Sequence, residues 1–150
     1  MLKQQIEQDL KAALLGGDKE RAMVLRGLKS VILYAEVAEG KRETGLSDEV
    51  VQALLIKEAK KRQESADLYS QAGDEKRANA ELSEKAIIDA YLPKQMADEQ
   101  LRQLIDAIAI ELGASSMQEM GPVISAVKEQ SKGAADGGRI ARFVKERLQG

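Results

Sequence analysis

The stretch "LKQQIEQDLKAALLGGD", Leu2 to Asp18, decides the fold class. Leu2, Ile6, Leu10 and Leu14 recur every four residues, which places them on one face of an α-helix and excludes the two-residue alternation of a half-buried strand. Gly16 and Gly17 then stop that helix, and Asp18 is placed to cap a second one running to about Glu39. There Met23, Val24, Leu25, Leu28, Val31, Ile32 and Leu33 cover more than one face, so this helix is expected to be central and the most buried.

The same spacing continues outward. After the loop "EGKRETGLS" (Glu39 to Ser47), Ser47 reads as an N-cap with Asp48 and Glu49 in the first turn, where the helix dipole favours acid. This third helix runs to about Gln71; Gly73 and Asp74 separate it from a fourth, which ends at "AYLPK" because Pro93 cannot continue it. Beyond, Leu101, Leu104, Ile105, Ile108 and Leu112 form one narrow stripe that stops at Gly113. Ser116 and Glu119 have capping-box spacing ahead of Met120-Gly121-Pro122 and a helix to about Gln130. The last helix sets Ile140, Phe143, Val144 and Leu148 on one side. The expectation is an all-α protein, with an N-terminal subdomain of about four helices (residues 1–93) and a smaller three-helix subdomain (residues 98–150).

Composition narrows the chemistry. A chain of 150 residues buries roughly two thirds of its unfolded surface, and with 3% aromatics and no Trp its core must be aliphatic. The absence of Cys and His removes disulfides, Cys/His zinc sites and Ser-His or Cys-His catalytic pairs. No catalytic set emerges, and neither a cofactor nor a metal is expected. Charge in the first ten residues, and no apolar run near the roughly 18 residues of a membrane span, lead to the expectation of a cytoplasmic protein without membrane contact.

With a net charge of -2 the whole chain has no bulk attraction to nucleic acid, and no DNA partner is expected. The distribution differs from the sum. Residues 122–150 hold Lys128, Lys132, Arg139, Arg142, Lys145 and Arg147 against Glu129, Asp136 and Glu146, so the C-terminal end is locally basic.

Within that end lies "SKGAADGGRIARF", Ser131 to Phe143. Its glycines approach the spacing of a phosphate-binding loop, but Arg139 and Ile140 stand where Lys and Ser or Thr are required, and a helix precedes it instead of a strand. The segment is read as a turn: Gly133 ends one helix left-handed, Asp136 caps the next, and Gly137 and Gly138 keep its first turn open. Lys128, Lys132, Arg139, Arg142 and Lys145 around this turn, with the free N–H groups of the last helix, form a candidate phosphate-backbone surface. The plainer alternative is a solvated charged face.

A second basic run, "KEAKKRQE" (Lys57 to Glu64), pairs Glu58 with Arg62 at i, i+4 and reads as a solvated helix face. Tyr34, Tyr69 and Tyr91 are expected as packed rings with surface hydroxyls, so no ladder for stacking bases is present.

Taken in order, "IKEAKKRQESADLY" (Ile56 to Tyr69), "AYLPKQM" (Ala90 to Met96), "LGASSMQEMGPVISAV" (Leu112 to Val127) and "KGAADG" (Lys132 to Gly137) resemble the YqeY-like family. That family is related to the tail domain of the GatB subunit of glutamyl/aspartyl-tRNA amidotransferase. The resemblance implies an all-helical, non-catalytic accessory protein that binds tRNA, with an amidotransferase or an aminoacyl-tRNA synthetase as partner. Any label of carbon–nitrogen ligase with glutamine as amido-N-donor would be inherited from the larger enzyme. The family's loop tends to read Lys-Gly-Arg-Ala-Asp-Gly, and this chain has Ala134 at the Arg position. The alternative expectation is a protein–protein adaptor without RNA contact.

Overall fold

The computed structural model describes residues 1–149, among which seven α-helices and one 3₁₀ turn form all the regular structure. The all-α expectation holds. Two compact units divide the chain, the first Met1–Leu92 and the second beginning at Pro93.

The first unit contains α1 (Leu2–Leu15), α2 (Lys19–Ala38), α3 (Asp48–Gln71) and α4 (Glu75–Asp89). Three N-caps form through side chains: Asp18 accepts from the Arg21 N–H at 3.1 Å, Ser47 from Val50 at 3.3 Å and Asp74 from Arg77 at 3.1 Å. Each such cap contributes about 1 kcal/mol. Ile6 and Leu10 of α1, Leu25, Leu28 and Ile32 of α2, Val51 and Leu55 of α3, and Ile88 of α4 build one aliphatic core. The small buried residues Ala59 and Ala66 of α3 and Ala78 of α4 let the two helices approach closely. Arg62 ties them with its Nε 3.1 Å from Glu84 Oε2, at an angle that makes an ion pair and not a hydrogen bond.

Four expectations need correction here. The Tyr34 ring is not packed but exposed on α2. Leu14 is exposed and Ala13 is buried in its place, because a four-residue repeat drifts about 40° per step on a helix of 3.6 residues per turn. Helix α2 touches α1, α3 and α4, yet Met23 and Leu33 face solvent; the buried side carries Val24, Leu25, Leu28 and Ile32. Arg62 pairs across to α4, and Glu58 bonds Lys61 at 3.1 Å instead.

A feature invisible in the periodicity is Glu36, whose side chain is fully buried. Both its oxygens accept from Lys3 Nζ, at 2.9 and 3.0 Å. Elsewhere in this unit the Tyr91 hydroxyl donates to Asp9, and burial followed by that carboxylate raises the phenol pKa to about 12.

The second unit contains α5 (Asp98–Leu112), the 3₁₀ turn Met117–Glu119, α6 (Met120–Ser131) and α7 (Gly137–Gln149). Leu101, Ile105, Ile108, Val123, Val127, Ile140, Phe143 and Val144 fill its own core. Leu112, the last residue of the expected α5 stripe, is half exposed, since Gly113 turns left-handed directly after it. Glu119 accepts from the Ser115 and Ser116 N–H groups at 2.6 and 2.9 Å. Those bonds hold its carboxyl below the ordinary 4.5.

Candidate nucleic-acid interface

Helix α6 ends at Ser131, whose buried hydroxyl bonds back to the Lys128 carbonyl at 3.3 Å. The chain then reverses through two residues with positive φ, Lys132 at 49° and Gly133 at 86°. The left-handed C-cap is therefore Lys132, not Gly133 as the glycine pattern suggests. A lysine there carries a backbone cost of about 1 kcal/mol that glycine would avoid. Lys132 is exposed, and the turn is closed by the Ala134 N–H on the Ser131 carbonyl at 2.9 Å.

This turn is docked on the segment that follows Pro93. The Met96 N–H donates to the Ala134 carbonyl at 2.7 Å, and Gln95 Nε2 donates to the Gly133 carbonyl at 3.2 Å. The C-terminal end of "AYLPKQM" and the turn "KGAADG", two of the short stretches singled out in the sequence, are thus hydrogen-bonded partners. Only the Ala134 backbone is needed for the contact with Met96.

Asp136 caps α7 as expected, its Oδ1 accepting from the Arg139 N–H at 2.9 Å. Gly137 and Gly138 are the first two residues of α7, with no left-handed backbone at either. At Gly137 the missing side chain has another consequence: a Cβ there would lie 3.3 Å from Lys128 Cε and 3.4 Å from its Nζ. The Lys128 ammonium is laid against the first turn of α7. Nearby N–H groups of Gly137 and Gly138 have no intrahelical carbonyl within reach.

The remaining cations separate into two groups. Arg139 is engaged inside the unit: one terminal nitrogen donates to the Met96 carbonyl at 2.8 Å and to Asp98 at 2.7 Å, with its side chain only 22% exposed. Arg147 pairs with Asp106 at 2.8 Å. Lys128, Arg142 and Lys145 are exposed and have no ion pair among the described residues. Arg142 lies 4.8 Å from the Phe143 ring centroid, with Arg102 at 4.7 Å, so the ring orients both guanidiniums. On α7, Gly138, Arg142 and Lys145 fall within about 60° of one another.

Between α5 and α7 lies an open groove of about 280 Å³ lined by Arg102, Ile105, Asp106, Phe143, Glu146 and Arg147. Its acids and bases alternate, so it has no single sign of charge. Lys94 escaped the sequence reading. It is exposed beside Gln95 and Met96, whose bonds to Gly133 and Ala134 bring it to the edge of the turn. Only the pairing of segments 38 residues apart reveals that placement.

These features define a two-unit helical protein whose second unit presents lysines and an arginine around a hydrogen-bonded turn. The chain belongs to the YqeY-like family: the family model described as Yqey-like protein matches residues 3–148. No curated protein matches the chain.

Proposed function

We propose that this protein is a non-catalytic, cytoplasmic tRNA-binding accessory factor whose second unit holds RNA backbone on the edge formed by Lys128, Lys132, Arg142 and Lys145. The observation that carries the reading is the Lys128 ammonium lying against Gly137 at the start of α7. A cation at a helix N-terminus opposes the helix dipole. A phosphate placed there accepts from Lys128 and from the Gly137 N–H, beside the Asp136 carboxylate that already caps the same turn, so Lys128 and the neighbouring cations supply the attraction and not the helix dipole alone.

Arg139 has a positioning role in this scheme, fixing the Pro93–Asp98 segment against α7. The family's kinship with the GatB tail domain supports tRNA as the RNA, and an amidotransferase or aminoacyl-tRNA synthetase as the enzyme it serves. Ligase chemistry with glutamine as amido donor would belong to that enzyme. Where relatives carry arginine at position 134, this chain forgoes one charge-assisted contact, on the order of 1 to 3 kcal/mol.

A gel-shift assay with total tRNA tests the reading. Lys128→Glu combined with Arg142→Glu is expected to abolish the shift while the circular dichroism spectrum stays helical. Unchanged binding by that folded variant would overturn the site.

A further inference from the structure

The outer face of α2 carries exposed apolar side chains with nothing from the first unit laid over them. Met23 is 58% exposed, Leu33 44%, Tyr34 80% and Val37 58%. Met23, Gly27, Ser30, Tyr34 and Val37 follow one another at steps of four, three, four and three residues, the seam spacing of packed helix pairs. Around the helix they span only about 80°.

We propose that this face is a self-association surface, on which two copies of the chain pack antiparallel about a two-fold axis at Ser30. The seam is close to a palindrome about that residue. Met23 meets the partner's Val37, Gly27 meets the partner's Tyr34, and Ser30 meets the partner's Ser30, so a large side chain faces a small one on each side of the axis and large ones face each other at the ends. An isologous interface requires this self-complementarity, whereas binding to an unrelated protein does not.

Gly27 supplies an independent reason. Glycine weakens a helix interior, yet a Cβ at Gly27 would meet nothing within 4 Å inside the chain. No internal packing calls for it. Against a second α2, the missing side chain lets the backbones approach.

Charge permits the pairing. Arg26 borders the seam on the side away from Tyr34 and falls opposite the partner's Leu33, which its aliphatic stem covers while the guanidinium stays in water. The two Arg26 residues lie about 12 Å apart along the axis, beyond the physiological Debye length of about 8 Å. In area, the four large side chains expose roughly 450 Å² per copy, and Arg26, Gly27 and Ser30 bring the face to about 600 Å². Two copies bury at most about 1,200 Å², the lower end of specific interfaces, which fits a weak dimer.

Sedimentation of the full chain over a wide concentration range is the test. Self-association is expected, weakened at least about tenfold by Tyr34→Lys and by Gly27→Gln. The second variant has open space in the monomer and a better helix former, so misfolding cannot explain its effect. Because the chain has no cysteine, register is read directly. Ser30→Cys should oxidise to a covalent dimer, while Met23→Cys, about 21 Å from its symmetry mate, should not. A chain monomeric at every concentration would overturn the proposal and leave the face to another macromolecule. Cross-linking through Met23→Cys as readily as through Ser30→Cys would overturn the antiparallel register.

Discussion

Replacing Arg139 by alanine separates the two roles that a basic residue in this turn can have. Its guanidinium bonds the Met96 carbonyl at 2.8 Å, and a hydrogen bond from a charged group contributes about 1.5 to 3 kcal/mol. The Asp98 pair adds little, because that carboxylate is 58% exposed and surface pairs contribute about 0 to 1 kcal/mol. At 6.0 Å the Phe143 ring is at the limit of useful contact. Together these give about 2 kcal/mol of local stability, which is roughly a 30-fold change in an opening equilibrium. The Met96 amide reports it, since its N–H is bonded across the same junction to the Ala134 carbonyl. Hydrogen exchange should show Met96 protection falling about 30-fold in Arg139→Ala. The salt dependence of tRNA binding should keep nearly the wild-type slope, because no phosphate contact is lost. Unchanged Met96 protection together with a reduced salt slope would refute the assignment and make Arg139 a phosphate ligand.

Other consequences follow from single contacts. Lys3→Met strands the buried Glu36 carboxylate and should destabilise the first unit by about 2 to 4 kcal/mol in urea denaturation, with most of the loss recovered in Lys3→Met/Glu36→Leu. The phenolate absorbance of the protein should contain a late component titrating at about 12, absent in Tyr91→Phe. Since the folded phenol pKa exceeds the ordinary 10.0, its stabilising contribution is complete below 10 and is lost as pH rises toward 12. Glu119 has the opposite sign: its folded pKa is depressed, so its contribution is present above 4.5 and is lost as pH falls through the lower folded value. Thermal melts of Glu119→Gln should accordingly show less loss of stability in acid than those of the wild type.

Much of the helix pattern was legible because four of the signals are local. Asp18, Ser47, Asp136 and Gly113 act on residues within a turn of themselves, and each does in the structure what its residue type predicts. Tertiary partners were not legible. Arg62 could bond Glu58 on its own helix or Glu84 on the next, and i, i+4 spacing cannot decide between them. Glu36 looks like any helical glutamate until Lys3, 33 residues earlier, is brought against it. In the basic turn, residue types identified the cations but not their availability. Arg139 and Lys128 are equally basic in sequence; the carbonyl of Met96 and the bare backbone of Gly137 make one a staple and the other an exposed ammonium.

The most direct test is the affinity for tRNA measured across salt concentrations. Three to four phosphate contacts predict that log K falls with log salt at a slope of about -3, returning toward -1 in the milder Lys128→Ala/Arg142→Ala. Binding that ignores salt, or a slope unchanged in the variant, would contradict a phosphate-facing turn.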